Sequence, residues 1–251
     1  MLTLDGWFFL VAIPAVVFAG ISKSGFGSGA AFAAAAILAL VVAPGQALGL
    51  MLPLLMLIDL ATLRPYWRQW SWPDARLLIL GGVPGVVLGA LLFEVANDDV
   101  LRGLIGVISL GFVGWQLARA RGWLRVDGRA MPLWGGAIAG VVAGFTSFIS
   151  HAGGPPAAVY LLSRRLGKTE YQATTVLVFW AINIAKFVPY AFLGIFTAPI
   201  LFADVMLAPF ALLGAWLGVK AHFLVPERVF FVITYLLLTV TGVRLIWIAI
   251  T

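Results

Sequence analysis

Ile58-Asp59-Leu60-Ala61-Thr62-Leu63-Arg64-Pro65-Tyr66 recurs 124 residues later as Ile182-Asn183-Ile184-Ala185-Lys186-Phe187-Val188-Pro189-Tyr190, with four identities and three conservative matches in nine positions. The same shift lays Gly20 on Gly144 and Gly29 on Gly153, and a shift of 125 lays Pro84 and Gly89 on Pro209 and Gly214. Any apolar chain shows glycine and proline coincidences, but the features matched here are the irregular ones. A repeat is therefore expected, with halves at 1–118 and 133–251 joined by a basic linker at 119–132.

Composition names the solvent around these halves. Of 251 residues, 63% are apolar and 10% charged, against about 45–50% and about 25% in a soluble domain. So much apolar surface requires lipid. Disorder, a coiled coil and a basic nucleic-acid module are excluded for want of charge. The absence of cysteine removes disulfides and thiolate chemistry, and neither a metal nor a cofactor is expected. The opening MLTLDGWFFL lacks a basic region and carries Asp5, so its apolar stretch is expected to be retained.

Apolar runs fall at about 7–21, 30–43, 46–63, 74–94, 99–118, 133–147, 155–163, 170–195, 198–220 and 226–250. Six reach the ~17–25 residues that cross a bilayer. The other four form two short pairs around Gly/Ser-rich breaks, each pair being one broken span or a hairpin that enters and returns.

Loop charge separates these alternatives, because cytoplasmic loops collect Lys and Arg. Arg64, Arg68 and Arg76 form one basic cluster, and Arg119, Arg121, Arg125 and Arg129 a second. Arg164, Arg165 and Lys168 form a third, Lys220 and Arg228 a fourth. All four lie inside only if each short pair makes an even number of crossings. The turn at Glu94, Asn97, Asp98 and Asp99 and the turn near Thr197 then face outward, as do both termini. The expected fold is an all-α integral membrane protein of two inverted-topology repeats, each a broken or re-entrant helix pair plus three full transmembrane helices. Eight crossings with two broken spans is the alternative.

Inverted repeats place a binding site near mid-membrane, where broken helices of the two halves meet. Irregular backbone at that depth implies a cavity, and helix N-termini facing it favour an anion. Gly25, Gly27, Gly29, Gly153 and Gly154 would allow close approach, and Ser22, Ser24, Ser28, Thr146, Ser147 and Ser150 could donate hydroxyls. Helix packing is the commoner role of such small residues in membranes. Phe26, Phe148 and Trp180 are candidate lining residues.

Intramembrane charges are functional candidates by default. Lys23, Asp59, His151 and Lys186 stand out, with Asn183 in the matched segment. Lys23 and Asp59 could form a structural ion pair. Lys186 has no obvious carboxylate at its depth, which makes a substrate anion its better partner. His151 is either a proton carrier or a hydrogen-bonding break residue. Asp204 and Arg244 lie near helix ends and are expected to snorkel.

The breaks carry a resemblance. Gly20-Ile21-Ser22-Lys23-Ser24-Gly25-Phe26-Gly27-Ser28-Gly29 resembles the first glycine-rich motif of the sulfite exporter TauE/SafE family, also called the 4-toluene sulfonate uptake permease family. Gly144-Phe145-Thr146-Ser147-Phe148-Ile149-Ser150-His151-Ala152-Gly153-Gly154-Pro155-Pro156 resembles the second, and Asn183 to Lys186 with Pro189-Tyr190 is similar to one branch. Ser28 and His151-Ala152 interrupt the family's commoner glycine triplets, which places the chain in a subgroup. The resemblance implies a permease of the bacterial inner membrane that moves sulfur-containing anions such as sulfite, sulfoacetate or other sulfonates.

The expected partners are the lipid bilayer and a small organic or inorganic anion. Coupling protons and a homodimer are left open, and nucleic acid is excluded. An anion channel competes with a secondary transporter. A Ser–Lys or Ser–His hydrolase would need a serine beside a base, but Gly25-Phe26-Gly27-Ser28-Gly29 has Phe26 where an intramembrane protease motif needs glycine.

Overall fold

The computed structural model describes residues 4–26, 31–123, 131–224 and 227–251, apart from the side chains of 222–231. Those residues form ten helices and no strand. α1 (Gly6–Gly25), α2 (Phe32–Leu38), α3 (Pro44–Leu63), α4 (Trp72–Val95) and α5 (Asp98–Ala120) precede the linker. α6 (Leu133–Ser150), α7 (Gly154–Ser163), α8 (Lys168–Phe192), α9 (Ala198–Leu224) and α10 (Glu227–Ile250) follow it. Residues 124–130 of the linker, with Arg125 and Arg129, lie outside the described residues, as does the Arg228 side chain.

Polar caps and prolines set the ends. Asp5 accepts from the Phe8 amide at 2.8 Å and Asn97 from the Val100 amide at 2.9 Å, each satisfying a first-turn donor. α3, α4 and α7 open with proline in the first turn, where its missing N–H costs nothing. α6 ends at His151, whose φ of 56° takes the left-handed cap conformation more usual for glycine.

Eight helices, rather than six, are long and apolar enough to span a membrane. The difference lies in α1 and α6. Their apolar runs stop near residues 21 and 147, but the helices continue through Ser22–Gly25 and Phe148–Ser150, because Asp59 and the Ala215 carbonyl take Lys23 and Ser24, and Ser150 bonds the Thr146 carbonyl of its own helix. Only α2 and α7 remain short.

Two seams of small residues hold the helices together. Val17 and Gly20 of α1 lie against Gly214 and Ala215 of α9, and Ile21, Ser24 and Gly25 against Gly218. The two helices thus run parallel. A Cβ at Gly20 would sit 2.7 Å from the Ala215 nitrogen, so only glycine permits this approach. In the second seam, Gly81 lies against Ala137 and Val141, Gly85 against Val141 and Phe145, and Gly89 against Phe148. α4 and α6 therefore also run parallel. α5 and α10 run antiparallel, with Gly103 near Ala249 and Gly106 near Ile246. Without a hydrophobic drive between helices in lipid, such close backbone packing supplies much of the cohesion.

α3 and α8 cross the centre antiparallel. Gly49 lies by Ile195, Asp59 bonds Asn183, and Leu63 and Tyr66 cluster with Ala173 and Val176. The end of α1 lies beside the end of α3, through Lys23–Asp59 and Tyr66–Ser24. The end of α6 meets the end of α8 likewise, through Lys186–Ser147 and Tyr190–Phe148.

Candidate functional site

A chain of buried polar groups runs between the two breaks. Lys23, at the end of α1, places its Nζ 2.8 Å from Asp59 Oδ1 on α3, with exposures of 4% and 0%. Asp59 Oδ2 accepts from Asn183 Nδ2 on α8 at 2.7 Å. One helical turn further along α8, Lys186 Nζ donates to the Ser147 carbonyl at 3.1 Å and lies 2.8 Å from His151 Nδ1. His151 Nε2 is 3.1 Å from the Leu48 carbonyl of α3. The sequence-chosen charges Lys23, Asp59, His151 and Lys186, with Asn183, are all brought together.

Donor and acceptor logic assigns the protons. A carbonyl only accepts, so Nε2 of His151 carries the hydrogen that bonds Leu48. Nδ1 then offers its lone pair to the Lys186 ammonium, and the ring is neutral. His151 serves as a hydrogen-bonding break residue in this arrangement. Neither ring nitrogen is presented to a described serine hydroxyl, and Lys23 is engaged by Asp59, so no nucleophile–base pair forms among the described residues.

The two lysines differ in charge balance. Lys23 has a carboxylate partner, whereas Lys186 is fully buried and among the described residues has no carboxylate within ion-pair distance. With both lysines protonated, the cluster would carry one positive charge more than the single carboxylate balances, so a charge on Lys186 calls for an added anion. An uncompensated buried cation is costly, and a buried charge is normally paired.

The candidate hydroxyls are mostly engaged with backbone. Ser24 Oγ lies 2.7 Å from the Gly20 carbonyl and 2.8 Å from that of Ala215. Thr146 Oγ1 donates to Val142 or Ala152, and Ser150 Oγ to Thr146. Ser147 contributes its carbonyl to Lys186. Ser22 Oγ is buried with no partner among the described residues. Gly25 fits against the Gly218 backbone, Gly153 against Phe179 and the Ala143 carbonyl, and Gly154 opens α7. Gly27, Ser28 and Gly29 lie outside the described residues.

A cavity of about 610 Å³ reaches the first break. Gly25, Phe26 and Gln172 line it toward the polar chain, Pro155 and Leu161 toward α7, and Arg119 and Lys168 at its basic end. Phe26 thus lines the cavity, as expected. Phe148 instead belongs to a ring cluster around the end of α6, with centroid separations of 6.1 Å to Phe93 and 4.8 Å to Tyr190. Phe196 lies 6.1 Å beyond Tyr190. Trp180 is half-buried against the α3–α8 packing.

Several organising residues carried no sequence signal of their own. Gln172 donates to the carbonyls of Lys23 and Ser24 at 2.9 and 3.2 Å, and Tyr66 donates to Ser24. These bonds satisfy carbonyls freed where α1 ends. Asp74, buried at the start of α4, accepts from Ser71 and Tyr160 and pairs with Arg164 at 2.8 Å, tying α7 to α4. Tyr66 and Tyr190 fall in the repeated nine-residue segment, and that recurrence was the clue available.

Asp204 departs from expectation. It does not snorkel: it is 7% exposed, and both carboxyl oxygens are buried without a partner among the described residues. Arg244 is exposed.

Comparison with curated proteins and with solved structures gave no match. Comparison with protein families matches residues 12–245 to the family described as Sulfite exporter TauE/SafE. With that match covering nearly the whole chain, and with eight helices able to cross a bilayer, this multi-pass membrane transporter belongs to the sulfite exporter TauE/SafE family.

Proposed function

We propose that the chain is a secondary transporter of small sulfur-containing anions, such as sulfite or an organosulfonate, and that Lys186 supplies the charge that binds them. The observation that carries this is the buried Lys186 Nζ, whose contacts are a carbonyl and a neutral imidazole with no carboxylate beside them; an anion arriving there would supply the counter-charge for its protonated form. A monoanion entering beside it would neutralise the cluster. The Ser/Gly-rich ends of the two breaks, including Ser22, Ser147 and Gly153, would form the walls.

An inverted repeat of 1–118 and 133–251 supports alternating access. Asp59 and Asn183, matched at 124 residues, bond each other. Tyr66 to Ser24 and Tyr190 to Phe148 are the same bond made once in each half. α1 packs on the fourth helix of the other half, and α6 on the fourth helix of the first. These two seams would be the bodies that move against each other.

Basic and aromatic residues gather at one end of the bundle. Arg119 stacks on Trp115 at 5.3 Å and Lys220 on Trp216 at 3.7 Å, with exposed Trp67, Trp72, Trp123 and Trp134 beside the same loops. This end is assigned to the cytoplasm by charge bias and interfacial aromatics, which leaves both termini periplasmic in a bacterial inner membrane.

The cavity opens from the basic end, while the aromatic cluster closes the residues at the end of α6. That one-sided access favours a transporter over a channel. Flux of sulfite or methanesulfonate in proteoliposomes should saturate, show counterflow and disappear in Lys186→Ala. Unchanged flux in that variant would reject the role of Lys186, and unsaturable conductance would favour a channel.

A further inference from the structure

We propose that Asp204 is a reversible proton-binding site that couples anion movement to the pH gradient. The proposal rests on the transporter reading above but not on the role given to Lys186. Asp204 lies in the first two turns of α9, at the end assigned to the periplasm. It is more than nine-tenths buried, and neither carboxyl oxygen meets a donor among the described residues. An ionised carboxylate held there would lack both water and a counter-ion, a cost of several kcal/mol or more. In this packing the group is therefore the neutral acid.

Among the described residues, no neighbouring charge alters this. α9 packs chiefly on α1 and α3. α1 carries Asp5, which caps its own helix, and Lys23, which is held by Asp59. α3 carries Asp59 alone. On α9 itself, Lys220 is sixteen residues away, about 24 Å along the axis, with His222 beyond it. A metal cation is a poorer guest than a proton, because it needs several oxygen ligands, and the described residues hold no cluster of three candidate ligands.

The position suits a group whose protonation follows conformation. Pro209 lacks the amide that would bond the Val205 carbonyl, which loosens α9 one turn beyond Asp204. α9 is also locked to α1 through the Gly20–Gly214 and Gly25–Gly218 contacts, so the two move as one body. When that body turns Asp204 toward water, the acid releases its proton as a carboxylate. When the packing described here returns, the carboxylate takes a proton up from the side on which the anion binds, having released the previous one on the side of delivery, so that one proton crosses with each monoanion. Nothing else is consumed.

The test has two arms. The purified chain in nanodiscs is treated with dicyclohexylcarbodiimide from about pH 5 to about pH 9 and read by peptide mass spectrometry. An adduct at Asp204 whose yield falls as pH rises is expected. No adduct at any pH, or a yield independent of pH, would overturn the proposal. In the second arm, proteoliposomes under an imposed pH gradient are given methanesulfonate, whose own charge is fixed over this range. Wild type should accumulate it on the alkaline side by up to about tenfold per pH unit for one proton per monoanion. Asp204→Asn should lose that accumulation and keep counterflow, while accumulation equal to wild type would overturn the proposal. Absence of flux in wild type would count against this substrate class instead, and the labelling arm would still decide the role of Asp204. That arm uses wild type, so it holds even if the variant fails to fold.

Discussion

The two helix breaks occupy matched places in the chain and have different surroundings. At the end of α1, Ser24 and Gly218 pack together and the cavity reaches Gly25 and Phe26. At the corresponding place beside α6, Phe148 and Phe93 stand where the first break has Ser24 and Gly218, and their rings close around Tyr190. The charges differ too. Lys23 is neutralised by Asp59, whereas Lys186 bonds only neutral acceptors. The first break is thus internally balanced, whereas Lys186 at the second has no carboxylate partner and rings fill the place that Ser24 and Gly218 hold at the first.

The largest effect should come from unbalancing the first break. Lys23→Met strands Asp59 as a buried charge and should cost about 3–5 kcal/mol, read as a fall in melting temperature in detergent. The double variant Lys23→Met/Asp59→Leu should regain most of that loss, since an apolar pair can replace a buried ion pair. If the double variant is as unstable as the single, the pair does more than balance charge.

Phe148→Ala probes the other break and should cost about 3–5 kcal/mol by leaving a hole in the ring cluster. It should also admit water-soluble thiol reagent to a cysteine introduced at the buried Ile149, while the same cysteine beside Phe148 stays protected. Loss of stability without new access would mean that the rings pack but do not close the break.

How much of this contrast was legible in the sequence varies by residue. The nine-residue repeat marked Asp59, Asn183 and Lys186 because a recurring polar position in an apolar run stands out. The break glycines announced irregular backbone by composition alone. The length of α1 and α6 was hidden, since Ser22–Gly25 and Phe148–Ser150 look like loop until tertiary partners satisfy them. Gln172 and Asp74 were hidden for a related reason: Gln172 bonds the Lys23 and Ser24 carbonyls, and Asp74 meets Tyr160 and Arg164, all far away in the chain. Asp204 misled because nearness to a helix end suggests water, and only packing on α1 and α3 decides burial.

The glycine seams, alike in both halves, offer a smaller and more symmetrical test. Gly20→Ala and Gly144→Ala should each cost about 1–3 kcal/mol, because an added methyl meets backbone that cannot yield freely. Equal losses would support two equivalent bodies, and a loss confined to one would break the equivalence. Smallest of all, Tyr66→Phe and Tyr190→Phe each remove one hydrogen bond to a carbonyl, about 1 kcal/mol, measured as a modest melting shift of similar size.

In the proposed function, Lys186 at the second break binds the anion. Calorimetric titration of methanesulfonate and sulfite into the wild type, Lys186→Met and Lys23→Met/Asp59→Leu tests it most directly. Binding should survive in the double variant and vanish in Lys186→Met. Equal affinity in wild type and Lys186→Met would show that Lys186 does not bind the anion.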